Sequence, residues 1–125
     1  MKYALLLVAA LWAAPSAAQA DPGLDAMVER FQPMVGTRSP DGALVRRVWA
    51  EGRIMVLTAE APATYSYGPN WISWAVASGI CEQPDGPAFF QRGNAIRIEI
   101  VMAEGGTRSA TRDACPTEAE PPSDS

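Results

Sequence analysis

The chain of 125 residues contains no histidine and a single lysine, Lys2. Without histidine, the usual Ser-His-Asp and Cys-His catalytic arrangements cannot form. The commonest protein ligand for metal ions is missing for the same reason, together with the side chain whose ordinary pKa lies nearest to neutral pH. The absence of histidine therefore removes the most frequent routes to nucleophilic catalysis and to transition-metal binding.

Positive charge is also scarce, because 10 lysines and arginines stand against 14 acidic residues and give a net charge of −4. Proteins that bind nucleic acid present a basic face to the phosphates, so no nucleic-acid partner is expected. The sequence also lacks a glycine-rich phosphate loop, an EF-hand loop and a GxSxG motif. We therefore expect no enzyme activity, no cofactor and no metal site.

A long apolar run is found only near the beginning of the chain, over Tyr3–Ala14. Lys2 precedes this run, and the small residues of Ala18-Gln19-Ala20 follow it. This pattern predicts a signal peptide over residues 1–20, with a mature chain that begins at Asp21. The run is shorter than the roughly 18 residues that a membrane-spanning helix needs, so we expect no stable membrane insertion once it is cleaved. The prediction is export to the periplasm or the cell exterior; an uncleaved N-terminal anchor is the alternative.

The sequence has two cysteines, Cys81 and Cys115. Two cysteines in an exported chain usually pair, and we predict a disulfide between them. Closing this loop would stabilise the fold by roughly 3–4 kcal/mol, a large part of the total of about 5–15 kcal/mol for a small domain. A redox-active thiol is the alternative, but the chain has neither a CxxC motif nor a histidine to support it.

Residues 21–115 predict a single α+β domain, because helical and strand periodicities alternate along them. Asp21 is placed to cap the first helix, which Pro33 should stop near Phe31. Asn70 is the predicted cap of the second helix. The predicted elements are a helix over 21–35, strands over 44–50 and 53–58, a helix over 71–81, a helical turn over 88–92, and strands over 94–103 and 107–111.

The predicted strands form a three- or four-stranded antiparallel sheet, and two or three helices pack against it. The second strand is apolar on both faces, which is typical of a central strand. In the first strand, alternation places Val45, Arg47 and Trp49 on one face. The last ten residues, 116–125, are rich in proline and acidic residues and predict a disordered tail.

The order of elements from Trp71 to Cys115 resembles that of small exported bacterial proteins of the quorum-sensing-regulated virulence factor type. The shared features are a helix that ends at a cysteine, a short helix before a glycine, and a hairpin that ends near a second cysteine. The residues that carry the likeness are Gly79-Ile80-Cys81, Phe89-Phe90 to Gly93, Ile96-Arg97-Ile98, Gly105-Gly106 and Asp113-Ala114-Cys115. The resemblance implies a small exported fold with a structural disulfide and no established activity.

Aromatic residues concentrate next to a proline-containing connector, at Tyr65, Tyr67, Trp71 and Trp74. Aromatic side chains are enriched at the centres of protein interfaces, so Tyr65, Tyr67 and Trp71 are candidate partner-binding residues. The alternative, and the commoner role, is packing in the core beside other aromatic residues; for Trp74 we expect the core. The first hypothesis is a non-enzymatic exported protein that binds an envelope or secreted protein as an adaptor, chaperone-like factor or inhibitor.

A second hypothesis is a small carboxylate-dependent hydrolase or ligand-binding protein. It requires at least two of the acids Glu82, Asp85, Glu99 and Asp113 to converge in one pocket. The simpler interpretation is that these acids lie in solvent-exposed turns and that Glu99, beside Arg97 on the outer strand face, makes a cross-strand ion pair. A third possibility is that the apolar helix over residues 71–80 associates with a membrane surface. The sequence leaves the oligomeric state open.

Overall fold

Residues 21–117 are described by the structure, a computed structural model, and they alternate between helices and strands. The predicted signal peptide (1–20) and most of the predicted acidic tail (118–125) lie outside the described residues. The elements are α1 (Pro22–Phe31), a 3₁₀ turn (Gln32–Met34), β1 (Leu44–Glu51), β2 (Ile54–Ala61), α2 (Pro69–Cys81), α3 (Gly86–Gln91), β3 (Ala95–Met102) and β4 (Thr107–Arg112).

The four strands form one sheet in the order β1-β2-β3-β4. The β1–β2 and β3–β4 pairs are antiparallel hairpins, as the sequence predicts. The central pair differs, because β2 and β3 run parallel from the pairing of Ile54 with Ala95 to that of Ala61 with Met102. The expectation of an antiparallel sheet is therefore wrong for this pair. The chain crosses from one end of β2 to the other through α2 and α3 before β3 begins, and a helical crossover of this kind produces parallel neighbours.

One face of the sheet carries the helices and the main core. The α1 helix packs on β1 and β2, and α2 packs on β3 and β4. Every second residue of β3 points into this core, and Ile96, Ile98 and Ile100 are almost fully buried there. The opposite face of the sheet carries no helix among the described residues, and we call it the open face.

Capping explains where both long helices begin. The Asp21 side chain accepts a hydrogen bond from the backbone N–H of Gly23, so the predicted cap of α1 is confirmed. The α1 helix ends at Phe31, and Pro33 follows in the 3₁₀ turn. The α2 helix, however, is capped by Gly68 rather than Asn70. Pro69 takes the first helical position, where its missing N–H costs no helical hydrogen bond, so the helix begins earlier than predicted.

The backbone of β1 carries a β-bulge between Val45 and Arg47. A bulge inserts one extra residue, so the side-chain alternation changes phase at that point. Val45 and Val48 are therefore both buried in the core, whereas Arg47 is exposed. The prediction that Val45 shares a face with Arg47 and Trp49 was wrong, because a simple alternation of faces cannot anticipate a bulge.

Cys81 and Cys115 form the predicted disulfide, with an S–S distance of 2.04 Å. The bond ties the last residue of α2 to the segment that follows β4, and both cysteines pack beside the core. Together with the sheet and the three helices, it confirms the α+β class and the covalent link between the second helix and the last hairpin.

Candidate functional site

Four aromatic side chains stack in series across the beginning of α2, and we call this row the aromatic ridge (Tyr65, Tyr67, Trp71 and Trp74). The Tyr65 and Tyr67 rings meet edge to face with centroids 5.8 Å apart. Tyr67 lies 4.4 Å from Trp71, and Trp71 lies 6.4 Å from Trp74. These separations lie within, or just below, the range in which aromatic pairs attract each other beyond their simple burial. The structure thus brings all three predicted partner-binding residues together.

The ridge forms because an extended connector and the helix that follows it both present aromatic residues to the same side. Tyr65 and Tyr67 are two residues apart in the extended connector before α2, and Trp71 and Trp74 are three apart on the helix. The opposite side of α2 is buried against the sheet through Ser73, Ala77 and Ile80. Because residues three apart share one side of a helix, the two tryptophans lie away from the helix's most buried residues.

Burial divides the ridge into an anchored end and an exposed centre. Tyr65 packs against the core, and the loss of hydration raises the pKa of its hydroxyl to about 12, with Asp41 and Tyr67 as smaller contributors. Tyr67 is 36% exposed. Trp71 and Trp74 are half-buried, so Trp74 is not the core residue that the sequence predicts. The aromatic ridge therefore contains both a residue that packs against the core and a residue that is exposed.

The four acids of the carboxylate hypothesis belong to three different segments of the chain. Glu82 and Asp85 are exposed in the turn between α2 and α3, where Asp85 lies 3.5 Å from Arg30. Asp113 is exposed after β4, and Glu99 lies on the open face. Glu99 accepts a hydrogen bond at 3.0 Å from Arg97 of the same strand, so its ion pair lies within β3 and not across strands as predicted. Two surface depressions are lined by Asp113, and neither includes another of these four acids.

The open face carries a polar network that the sequence analysis described only in part. Arg97 contacts Glu51 as well as Glu99, each at 3.0 Å. The Arg47 guanidinium lies 4.3 Å from the centre of the Trp49 ring, within the range of a cation–π contact. Val56 lies between Trp49 and Arg97 in the register and is fully buried. Val56 is thus covered on this face by charged and aromatic side chains rather than by a helix.

A second polar cluster, missed by the sequence analysis, surrounds the cap of α1. The fully buried Asn94 donates a hydrogen bond from its side chain to the Asp21 carboxylate, and Arg92 and Arg53 lie 3.7 and 3.9 Å from it. The Asn94 hydrogen bond, assisted by Gly23 and the two arginines, lowers the pKa of Asp21. Asp21 and Asn94 are 73 residues apart, so local sequence patterns give no signal for this contact.

The described part of the chain includes surface depressions of about 260–300 Å³. One of about 270 Å³ is lined by Pro87, Phe90, Gln91 and Asp113, and another of about 260 Å³ lies between Phe31 and Ile80. Both are below the usual size of small-molecule sites, about 300–1,000 Å³, and a third of about 300 Å³, lined by Arg112, Asp113 and Thr117, lies at the lower limit. Residues 21–117 contain no group of three or more cysteine, aspartate or glutamate side chains that could hold a metal ion. None of the helices described is long and apolar enough to cross a membrane.

Comparisons with known proteins find a distant structural similarity and no match in sequence. No protein-family model and no curated protein matches the sequence. A search of solved structures finds a protein from Pseudomonas aeruginosa whose description reads "putative secreted protein". The two chains are 13% identical and superpose with a TM-score of 0.46, over 73% of this chain and 94% of the other. The resemblance to the quorum-sensing-regulated virulence factor type stays a prediction.

Proposed function

We propose that this is an exported, non-enzymatic protein that binds another protein of the cell envelope or the secreted fraction. The observation that carries the proposal is the aromatic ridge, with Tyr67 exposed at its centre and Tyr65 anchored in the core. An anchored aromatic cluster suits binding, because its rings are already fixed before the partner arrives and lose little entropy on association. The disulfide supports export, since such bonds persist in oxidising compartments.

The geometry favours a protein partner over the alternatives that the sequence left open. A carboxylate-dependent hydrolase would need two acids in one pocket, whereas the two surface depressions that Asp113 lines include none of the other three acids. Tyr67 is exposed and Trp71 is half-buried, so part of each ring is available to a groove or pocket on a partner. Adaptor, chaperone-like factor and inhibitor are the roles consistent with such a row.

Site-specific photo-crosslinking in the mature protein tests this proposal. A photoreactive phenylalanine at position 67 should form one discrete adduct in an envelope extract, because this position lies at the centre of the ridge. The control carries the same group at position 101, since Val101 is as exposed as Tyr67, at 37%, and lies on the open face outside the ridge residues. The Trp71→Ala variant should weaken the adduct at position 67.

The outcomes separate the hypotheses. Equal adducts from positions 67 and 101 would mean that the ridge is not a binding surface. An adduct that Trp71→Ala leaves unchanged would remove Trp71 from the site. Turnover of an ester or glycoside substrate by the purified protein, lost on replacing Glu99 or Asp113, would favour the hydrolase instead.

A further inference from the structure

The two outer strands of the sheet, β1 and β4, differ in whether their outer edges are covered by other parts of the chain. On the β1 side, Val45 exchanges backbone hydrogen bonds with the preceding loop, at 2.8 Å from Gly36 and 3.0 Å to Thr37. The side-chain amide of Gln32 donates to the carbonyl of Val48 at 2.8 Å. The β-bulge adds a further interruption. A covered edge and a β-bulge both prevent an edge strand from pairing with another chain.

The β4 edge has none of these protections among the described residues. It pairs with β3 in regular register from Ile96–Arg112 to Val101–Thr107, and it contains neither proline nor bulge. The Met102 N–H donates to the carbonyl of Gly106. Hydrogen bonding alternates along an antiparallel strand, so Arg108, Ala110 and Arg112 bond to β3, and the backbone groups of Thr107, Ser109 and Thr111 face outwards.

We propose that two copies of this protein pair through β4, antiparallel and centred on Ser109, to form a continuous eight-stranded sheet. In this register Ser109 faces Ser109 of the second copy, and Thr107 faces Thr111. The outward backbone groups then bond to one another across the two-fold axis. Hydroxyl side chains meet on the open face, and cross-strand threonine and serine pairs of this kind are favourable.

The arginines of β4 select this register over its neighbours. Moving the centre to Arg108 would place that side chain opposite its own copy, and moving it to Ala110 would place Arg108 opposite Arg112. Like charges directly opposite each other destabilise a sheet. With Ser109 at the centre, Arg108 faces Ala110 and Arg112 faces Gly106. The arginines therefore favour Ser109 as the centre over either neighbouring position, and a two-fold interface requires such a self-complementary register. The β4 strand contains none of the ridge residues, so this inference does not rest on the proposed function.

Sedimentation equilibrium of the full mature chain tests the pairing. The wild type should sediment at twice the monomer mass at high concentration. Ser109→Pro should raise the dimer dissociation constant by about tenfold or more, because it removes the outward N–H of both copies. The melting temperature extrapolated to monomer should barely change, since proline is tolerated where the N–H of an edge strand faces solvent. A dimer that Ser109→Pro leaves intact would place the interface elsewhere and overturn the proposal.

A charge exchange at the same position tests the register. Ser109→Lys and Ser109→Glu should each be monomeric alone, because each places a charge opposite its own copy. Mixed one to one, they should form a heterodimer. A mixture that stays monomeric beside a dimeric wild type would overturn the register.

A wild type that is monomeric at every concentration would overturn the proposal. If it also protects the Thr107, Ser109 and Thr111 amides from hydrogen exchange, the chain covers its own edge.

Discussion

Strand β2 is buried on both faces of the sheet, but different kinds of side chain cover it on the two faces. On the covered face, Met55 and Leu57 of β2 pack against apolar side chains beneath the helices. On the open face, Val56 is equally buried, but its neighbours in the register are Trp49 and Arg97. Apolar packing is insensitive to salt and tolerates little loss of volume, whereas ion pairs at a surface are screened and can rearrange. The two faces should therefore respond to different perturbations.

The largest expected effect comes from the disulfide that fastens the covered face. Replacing Cys81 and Cys115 by serine should lower the free energy of unfolding by about 3–4 kcal/mol, because the closed loop spans 34 residues of chain. Urea denaturation of the oxidised wild type and the double variant measures this difference. Unfolding curves that coincide would show that the bond constrains little, and the wild type under reducing agent provides the matched comparison.

A pair of core truncations compares the two faces directly. Ile98→Ala on the covered face should cost about 2–5 kcal/mol, because a cavity opens beneath the helices. Val56→Ala on the open face should cost only about 1–2 kcal/mol, since fewer methyl groups are lost and the Arg97 and Trp49 side chains can close over the gap. The same denaturation experiment measures both. A larger cost at Val56 than at Ile98 would reverse the assignment of the main core.

The ion pairs of the open face should contribute less and should depend on salt. Arg97→Met should lower the free energy of unfolding by under about 1 kcal/mol at low salt, and by less at high salt, because partly exposed pairs are screened. Arg46→Met is the matched control, since Arg46 lies 3.7 Å from Glu60 with both side chains about half exposed. The control should have almost no effect. A salt-independent loss at Arg97 would indicate packing over Val56 rather than charge.

The smallest expected effect is a change in acid sensitivity at the cap of α1. The pKa of Asp21 is lower in the folded protein than its ordinary value of 3.8, so its carboxylate contributes stability above that pH. This contribution is lost as the pH falls through the lowered pKa, because protonation then weakens the folded state more than the unfolded state. Asp21→Asn should flatten the decline in stability below about pH 4.

The comparison with Asp21→Ala separates the charge from the cap. Asparagine can still cap the helix and alanine cannot, so both variants should flatten the acid decline while Asp21→Ala begins from lower stability at neutral pH. Thermal melts between about pH 2 and pH 7 measure both quantities. A decline in Asp21→Asn as steep as that in the wild type would mean that other carboxylates control acid unfolding.

Much of the local structure could be predicted because it depends on neighbouring residues. The alternation of Ile96, Ile98 and Ile100 predicts β3, and Pro33 predicts the end of α1. The aromatic ridge was anticipated only as a cluster. The α2 sequence is apolar nearly all round, so periodicity did not show which side would meet the sheet. The contact between Asp21 and Asn94 depends on two distant segments, and no local pattern encodes it.

The sequence by itself determined the class of fold, the positions of most elements and the pairing of Cys81 with Cys115, because periodicity, capping residues and cysteine count act locally or leave one choice. The tertiary structure alone decided the parallel pairing of β2 with β3, since the direction of a strand depends on the path of the helical crossover before it. It also decided that Tyr67 stands exposed while Tyr65 packs against the core, and that within residues 21–117 the edge of β1 is covered and that of β4 is not. Exposure and edge position depend on how whole elements pack, and only the assembled sheet defines them.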